Sequence, residues 1–152
     1  MAVKVEVMNQ IVTDLATVFP GLTAKQEIYL VPMIKVVQAM APLEIQVCES
    51  GVTYPEAEHD GSSRAEDFTV QIGIFRKYRL DSGGRHSKAL SDLALSIYKL
   101  RDTVIDLLDW GFLTGEILVR PLIIRHESAV TEVADGQLLK TITFIAGDVT
   151  GY

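Results

Sequence analysis

The residues best equipped for chemistry gather in one polar stretch. Glu56, Glu58, His59 and Asp60 carry the oxygen and nitrogen atoms that hold a divalent cation. Neighbours in a polar loop rarely converge on one ion, however, and no second ligand group stands at a recognisable spacing. A solvated acidic loop is the expectation. Cys48 with one of the 3 histidines imitates a nucleophile pair. It lies within an alternating, strand-like stretch with no helix N-terminus or basic neighbour to lower its pKa, so a plain strand cysteine is expected. The turn from Asp81 to His86 precedes a helix, and helix N-termini bind phosphate. Yet the Walker spacing with its Lys-Ser/Thr ending is absent, and so is the dinucleotide fingerprint. A strand-to-helix turn capped by Ser87 accounts for it. His86 and His126 stand alone at element ends, where surface or capping roles suffice. The residues themselves indicate no catalytic site, no metal and no cofactor.

Charge is the more informative oddity. Asp102, Asp106 and Asp109 fall at steps of four and three, on one face of a helix's C-terminal half. Like charges at that spacing repel, and acids near a helix C-terminus oppose its macrodipole. A solvated acidic stripe is the plain reading. The sharper one pairs it with the only basic cluster, Arg76, Lys77 and Arg79, within the chain or on a neighbouring subunit, or makes it an acidic inner wall. Phe75 falls on the outward face of its strand, which suits a covered sheet or a subunit contact.

These groups are positioned by elements legible in the hydrophobic pattern. Leu90, Leu93, Ile97, Leu100, Val104 and Leu107 form an apolar stripe on a long helix over Ser87–Trp110, a rod of roughly 36 Å. Gly111 lies just past its last turn. Residues 3–19 read as an amphipathic helix with Val7, Ile11, Val12, Leu15 and Val18 on one side, ended by Pro20 and Gly21. Between Thr23 and Met40, Ile28–Val31 has strand character, and Met33–Met40, bracketed by Pro32 and Pro42, reads as a short helix.

From Leu43 the period becomes two, and Leu43, Ile45 and Val47 face one way. Ser50–Asp67 reads as a long polar loop, a length that is usually functional or disordered. Phe68–Arg79 is the clearest strand, with Phe68, Val70, Ile72 and Ile74 on one face. Glu116–His126 reads as a strand apolar on both faces, and Pro121 marks it as an edge or a bulge. Ala134–Gln137 signals a hairpin turn into a last strand, Leu138–Ala146. The polar tail 147–152 is expected to fray. The expected fold is α+β: an antiparallel sheet of about four strands with the long helix and the N-terminal helix packed on one face, in a single domain over 1–152.

Composition sets broad limits. At 152 residues, 48% hydrophobic and 22% charged, the chain has the make-up of a soluble globular domain. A net charge of −6 argues against binding nucleic acid by phosphate neutralisation, though not against enclosing DNA without gripping it. A lone cysteine excludes an internal disulfide and favours an intracellular setting. Lys4, Glu6 and Asp14 interrupt the apolar residues that a secretion signal would need. No run reaches the ~20 apolar residues that span a bilayer, so no membrane association is expected.

The order of elements, Val3–Phe19, Leu43–Glu49, Ser50–Asp67, Phe68–Arg79, Ser87–Trp110 and Glu116–Ala146, resembles that of the tail terminator, or tail completion, proteins of long-tailed bacteriophages. Related neck proteins share parts of it, and Thr23–Met40 is an addition to the simplest pattern. The resemblance implies a structural virion protein without catalysis. Such a protein forms a homo-oligomer, usually a hexameric ring, that caps the tail tube and joins it to the head. Its partners would be the tail tube protein and the connector or neck proteins. DNA would pass through an acidic lumen without specific binding, in a virion assembled in the host cytoplasm. The candidate subunit or partner interface comprises Glu56, Glu58, His59, Arg64, Phe75, Arg76, Lys77, Arg79, Asp102, Asp106 and Asp109. The rival expectation is a small α+β enzyme or ligand-binding domain with the 50–67 loop as its lid.

Overall fold

The computed structural model describes residues 3–19, 26–34, 43–53, 66–77, 88–134, 136–147 and 149. The elements are α1 (Lys4–Val18), β1 (Gln26–Leu30), β2 (Leu43–Thr53), β3 (Asp67–Lys77), α2 (Lys88–Leu108), β4 (Ile123–Glu127), β5 (Thr131–Ala134) and β6 (Gln137–Gly147). The fold is α+β, with both helices packed against one sheet.

That sheet corrects the expected one. It has 6 strands in the order β1-β2-β3-β6-β4, with β5 also pairing β6, and it is mixed because β1 runs parallel to β2. The central pairs β2–β3 and β3–β6 are antiparallel, as period-two alternation on one buried face foreshadowed. Parallel pairing joins strands through a crossover rather than a turn, so no local signal tied Ile28–Val31 to the strand at Leu43.

The core lies between the sheet and the helices. Val7, Ile11, Leu15 and Phe19 of the first segment meet Ile45, Val47, Phe68, Val70, Ile72, Ile74, Ile142 and Phe144 of the sheet. Val18 is exposed, and Phe19, one position on, completes the buried row instead. On α2 the buried row is Ile97, Leu100, Val104 and Leu108, so Leu108 rather than Leu107 ends the stripe. Each such side chain contributes about 1.5–3 kcal/mol by leaving water.

Several boundaries move. The strand expected at Glu116–His126 begins only at Ile123, because residues 109–122 form an irregular loop. Trp110, Leu113 and Glu116 have φ of +60°, +62° and +55° there, beside Gly115 at +90°. The expected loop 50–67 is shorter at both ends. β2 continues through a bulge at Gly51 (φ +135°) to Thr53, and Asp67 belongs to β3. Residues 54–65 lie outside the described residues, as does the turn at 78–87; of the helix expected over Met33–Met40, Met33 and Ile34 are not helical and 35–40 lie outside the described residues. Of the tail expected to fray, the two described residues are held: Gly147 still pairs with Asp67, and Val149 is only 3% exposed against the core.

The sheet's second face is partly covered. A Cβ on Gly73 would stand 3.0 Å from Ile34 Cδ1, so the chain after β1 lies across β3 there. Phe75, two residues on, is 3% exposed, and Glu44, Gln46 and Cys48 on the same face of β2 are buried too. Of the two readings of Phe75, the covered sheet is what this geometry gives, and no surface of it is left for a partner.

Candidate functional site

Among the described residues, the C-terminal end of α2 is held by a set of non-local hydrogen bonds. Asp109 ends the acidic stripe, but its Oδ1 accepts the backbone N–H of Ile124 at 3.0 Å. Trp110 N–H donates to Leu122 O at 2.6 Å, and Leu122 N–H donates to Gly111 O at 2.8 Å. From the other helix, buried Asp14 accepts Thr114 N–H at 2.8 Å while its second oxygen takes Gln10 Nε2 at 2.8 Å. Left-handed backbone at a non-glycine residue costs about 1–2 kcal/mol, so these bonds hold the loop in a shape its own residues disfavour. Beside the exposed Thr114, Glu116 and Arg120, the loop displays three large apolar side chains: Trp110 is 69% exposed, Phe112 48% and Val119 65%.

Beside this loop, α2 is tied to the sheet by charge. Arg101 presents its guanidinium edge to Glu127 in a two-pronged pair, Nε to Oε1 at 2.5 Å and Nη2 to Oε2 at 2.6 Å. Glu127 Oε1 also lies 3.3 Å from Lys140 Nζ. The Lys140 ammonium, on a residue only 3% exposed, donates to Ser128 O at 2.6 Å and sits 5.2 Å from the centre of the Tyr98 ring. The Arg101 pairing, with help from Lys140 and against partial burial, lowers the Glu127 carboxyl to a pKa of about 2. The same pairing raises Arg101. Burial raises the Cys48 thiol, against a smaller lowering by a hydrogen bond with the Ile34 backbone, so its thiolate is disfavoured and it fits a plain strand cysteine.

The expected interface residues divide. Asp102 is exposed and pairs with Arg101 at 2.8 Å, Asp106 is exposed, and Asp109 is turned inward to Ile124. The stripe is therefore split, and only its first two members face solvent. Ile124 stands opposite Phe144, and Phe144 opposite Val70. Arg76 is six residues further along β3, about 20 Å at 3.3 Å per residue. Arg76 and Lys77 thus occupy the end of the sheet away from Asp109, and the in-chain pairing expected for them is not what Asp102 and Asp109 form. Phe75 is buried. Glu56, Glu58, His59, Arg64 and Arg79 lie outside the described residues.

Sequence reasoning missed Trp110, Phe112 and Val119, and also the Arg101–Glu127–Lys140 network. A signal existed for the first two. They flank Gly111 immediately after the apolar stripe has ended in Leu108, where the helix no longer aims them at the sheet. Arg101 and Glu127 are joined only by tertiary packing and had none.

A second feature lies at the opposite flank of the sheet. A cleft of 410 Å³ opens between α1 and β1, lined by Met8, Leu30, Val31, Pro32 and Glu49. Tyr29, Leu30 and Met33 beside it are 42%, 40% and 59% exposed. Among the described residues, no group of three or more His, Cys, Asp or Glu could hold a metal ion, and no helix is long and apolar enough to cross a membrane. No protein-family model matches the sequence, and no curated protein matches it significantly.

Proposed function

We propose that this chain is a structural virion protein, a subunit of the ring that caps a phage tail tube and joins it to the head. The observation that carries the reading is the α2 end. Trp110, Phe112 and Val119 are each exposed on the segment after α2, whose backbone is held by Asp14, Asp109 and Leu122. Aromatic and aliphatic groups exposed on pre-set backbone favour burial against another protein, because little ordering entropy is lost on contact. In this reading the loop seats on a neighbouring subunit or on the tube. Asp102 and Asp106, exposed on the same end of α2, supply part of an acidic wall past which DNA slides without adhering. The protein acts by assembly and DNA passage, with no reacting groups.

Electron microscopy of the purified chain, alone and with its tail tube, tests this. Rings of uniform subunit number seated on tube ends are the expected result. A chain that stays monomeric at high concentration and leaves tube ends bare sinks the reading. Alanine replacement of Glu56, Glu58, His59 and Asp60 separates the rival: loss of a bound ligand or metal supports an enzyme or binding domain, and loss of assembly alone supports the ring subunit.

A further inference from the structure

The bonds that hold the segment between α2 and β4 act on different parts of it. At its base, Trp110 N–H donates to Leu122 O, Leu122 N–H to Gly111 O, and Ile124 N–H to Asp109. At its turn, Thr114 N–H donates to Asp14 of α1, 100 residues away in sequence. Phe112 lies between base and turn, among the left-handed residues Trp110, Leu113 and Glu116. A non-glycine chain released from that turn relaxes toward right-handed or extended backbone, and Phe112 moves with it. Asp14 itself is 4% exposed, on the buried side of α1 with Ile11 and Leu15. Its two oxygens take one uncharged donor each, Gln10 Nε2 and Thr114 N–H, both at 2.8 Å. Taking a carboxylate out of water is costly, and neutral donors offset that cost only in part. What this carboxylate secures beyond its own helix is the turn at Thr114.

We infer that Asp14 is a positioning residue for assembly. From α1 it fixes the turn at Thr114 and so the backbone that presents Phe112. It thereby sets how tightly the loop engages its partner, without touching that partner. The inference rests on the reading of the exposed loop as the assembly contact, and adds control of that contact from the other helix. A released loop still carries Trp110 and Phe112, but contact then has to order it. Ordering a single backbone residue on contact already weakens binding by about tenfold. Coupling of this kind is reciprocal: assembly strengthens the Asp14–Thr114 bond by the same factor by which that bond strengthens assembly.

The test uses the full chain, labelled with nitrogen-15, with assembly followed by sedimentation velocity and by electron microscopy with the tail tube. Trp110 is the single tryptophan, so its fluorescence reports on the loop, while β2–β3 amide exchange reports on the rest of the fold. Asp14→Ala should speed Thr114 amide exchange, shift the Trp110 emission and weaken assembly by about tenfold or more, while β2–β3 amides stay protected. Asp14→Asn still offers an oxygen to Thr114, with the Gln10 amide reversed to accept from it, and should restore assembly to within about threefold of the parent. Two results in folded Asp14→Ala overturn the inference: assembly as tight as the parent's, or Thr114 exchange speeded no more than that of the β2–β3 amides. In the unaltered chain, Thr114 exchange should slow by about tenfold or more on assembly. An equal rate in both states overturns the inference, and this measurement stands whether or not the variants fold. Failure of the ring reading looks different. A parent that stays monomeric and leaves tube ends bare, or assembly unchanged by Trp110→Ser with Phe112→Ser, removes the contact itself and the inference with it. Assembly lost in that double variant but kept in Asp14→Ala removes only the part of Asp14.

Discussion

Asp109 Oδ1 accepts the backbone N–H of Ile124 at 3.0 Å, so the last acid of the α2 stripe closes the outer edge of β4. An aspartate that opposes its own helix dipole thereby serves the sheet, satisfying a backbone donor that would otherwise face outward. Asp109→Ala is expected to cost about 1–2 kcal/mol in urea unfolding and to speed exchange of the Ile124 amide. Asp109→Asn keeps an acceptor oxygen and should recover most of the loss. A variant as stable as the parent, with Ile124 still protected, would show that this bond is dispensable.

The Arg101–Glu127–Lys140 group predicts acid sensitivity. The folded-state pKa of Glu127 is depressed to about 2, below its ordinary value near 4.5. Its contribution is therefore complete above pH ~4.5 and is lost as the pH falls toward 2. Because the group is partly open to solvent, about 1–2 kcal/mol is the expected size. Urea midpoints measured from pH 6 to pH 2 should fall less steeply in Glu127→Gln than in the parent. Parallel curves contradict the assignment.

Gly73 is where the chain after β1 crosses the sheet. Its φ is unexceptional, so only space is at issue, and the nearest atom is the movable end of Ile34. Gly73→Ala is expected to be nearly neutral, because Ile34 gives by a few tenths of an ångström and alanine suits a strand better than glycine. Gly73→Val should cost about 1–3 kcal/mol by thermal unfolding, since its branches cannot be accommodated by that shift. Equal stability of both variants would mean that Ile34 does not press on β3.

Glu116 holds φ +55° on an exposed position. Glu116→Gly relieves this left-handed conformation and should stabilise the fold by about 0.5–1 kcal/mol, after the entropy of the freer unfolded chain is set against it. Glu116→Val should destabilise by about 1 kcal/mol or more. Calorimetric midpoints moving the opposite way would argue against the loop conformation.

Trp110 and Phe112 separate assembly from stability. The double replacement Trp110→Ser and Phe112→Ser removes side chains that are largely exposed, so the unfolding midpoint should change little. Self-association measured by sedimentation velocity should weaken at least tenfold if the loop is an interface centre. Unchanged association would place the contact elsewhere on the chain.

How much of this was written in the sequence follows from the range of each interaction. The two helices, the antiparallel centre of the sheet and the inward faces of β2, β3 and β6 were legible, because periods of 3.6 and 2 are local consequences of backbone geometry. The hairpin before β6 was legible for the same reason. Its Gly136 takes φ +86°, a conformation that favours glycine. Tertiary structure alone decided the parallel seat of β1, which depends on a crossover with no turn signature. It alone turned Asp109 from an acid on a stripe into the closure of β4, by carrying Ile124 to within 3.0 Å. The apolar run 117–124 misled because apolar content marks burial, not conformation, and the strand begins only where β6 offers backbone partners to Ile123. Sequence determined which faces seek the core. Packing decided which edges were closed and which side chains, Trp110 foremost, stayed exposed.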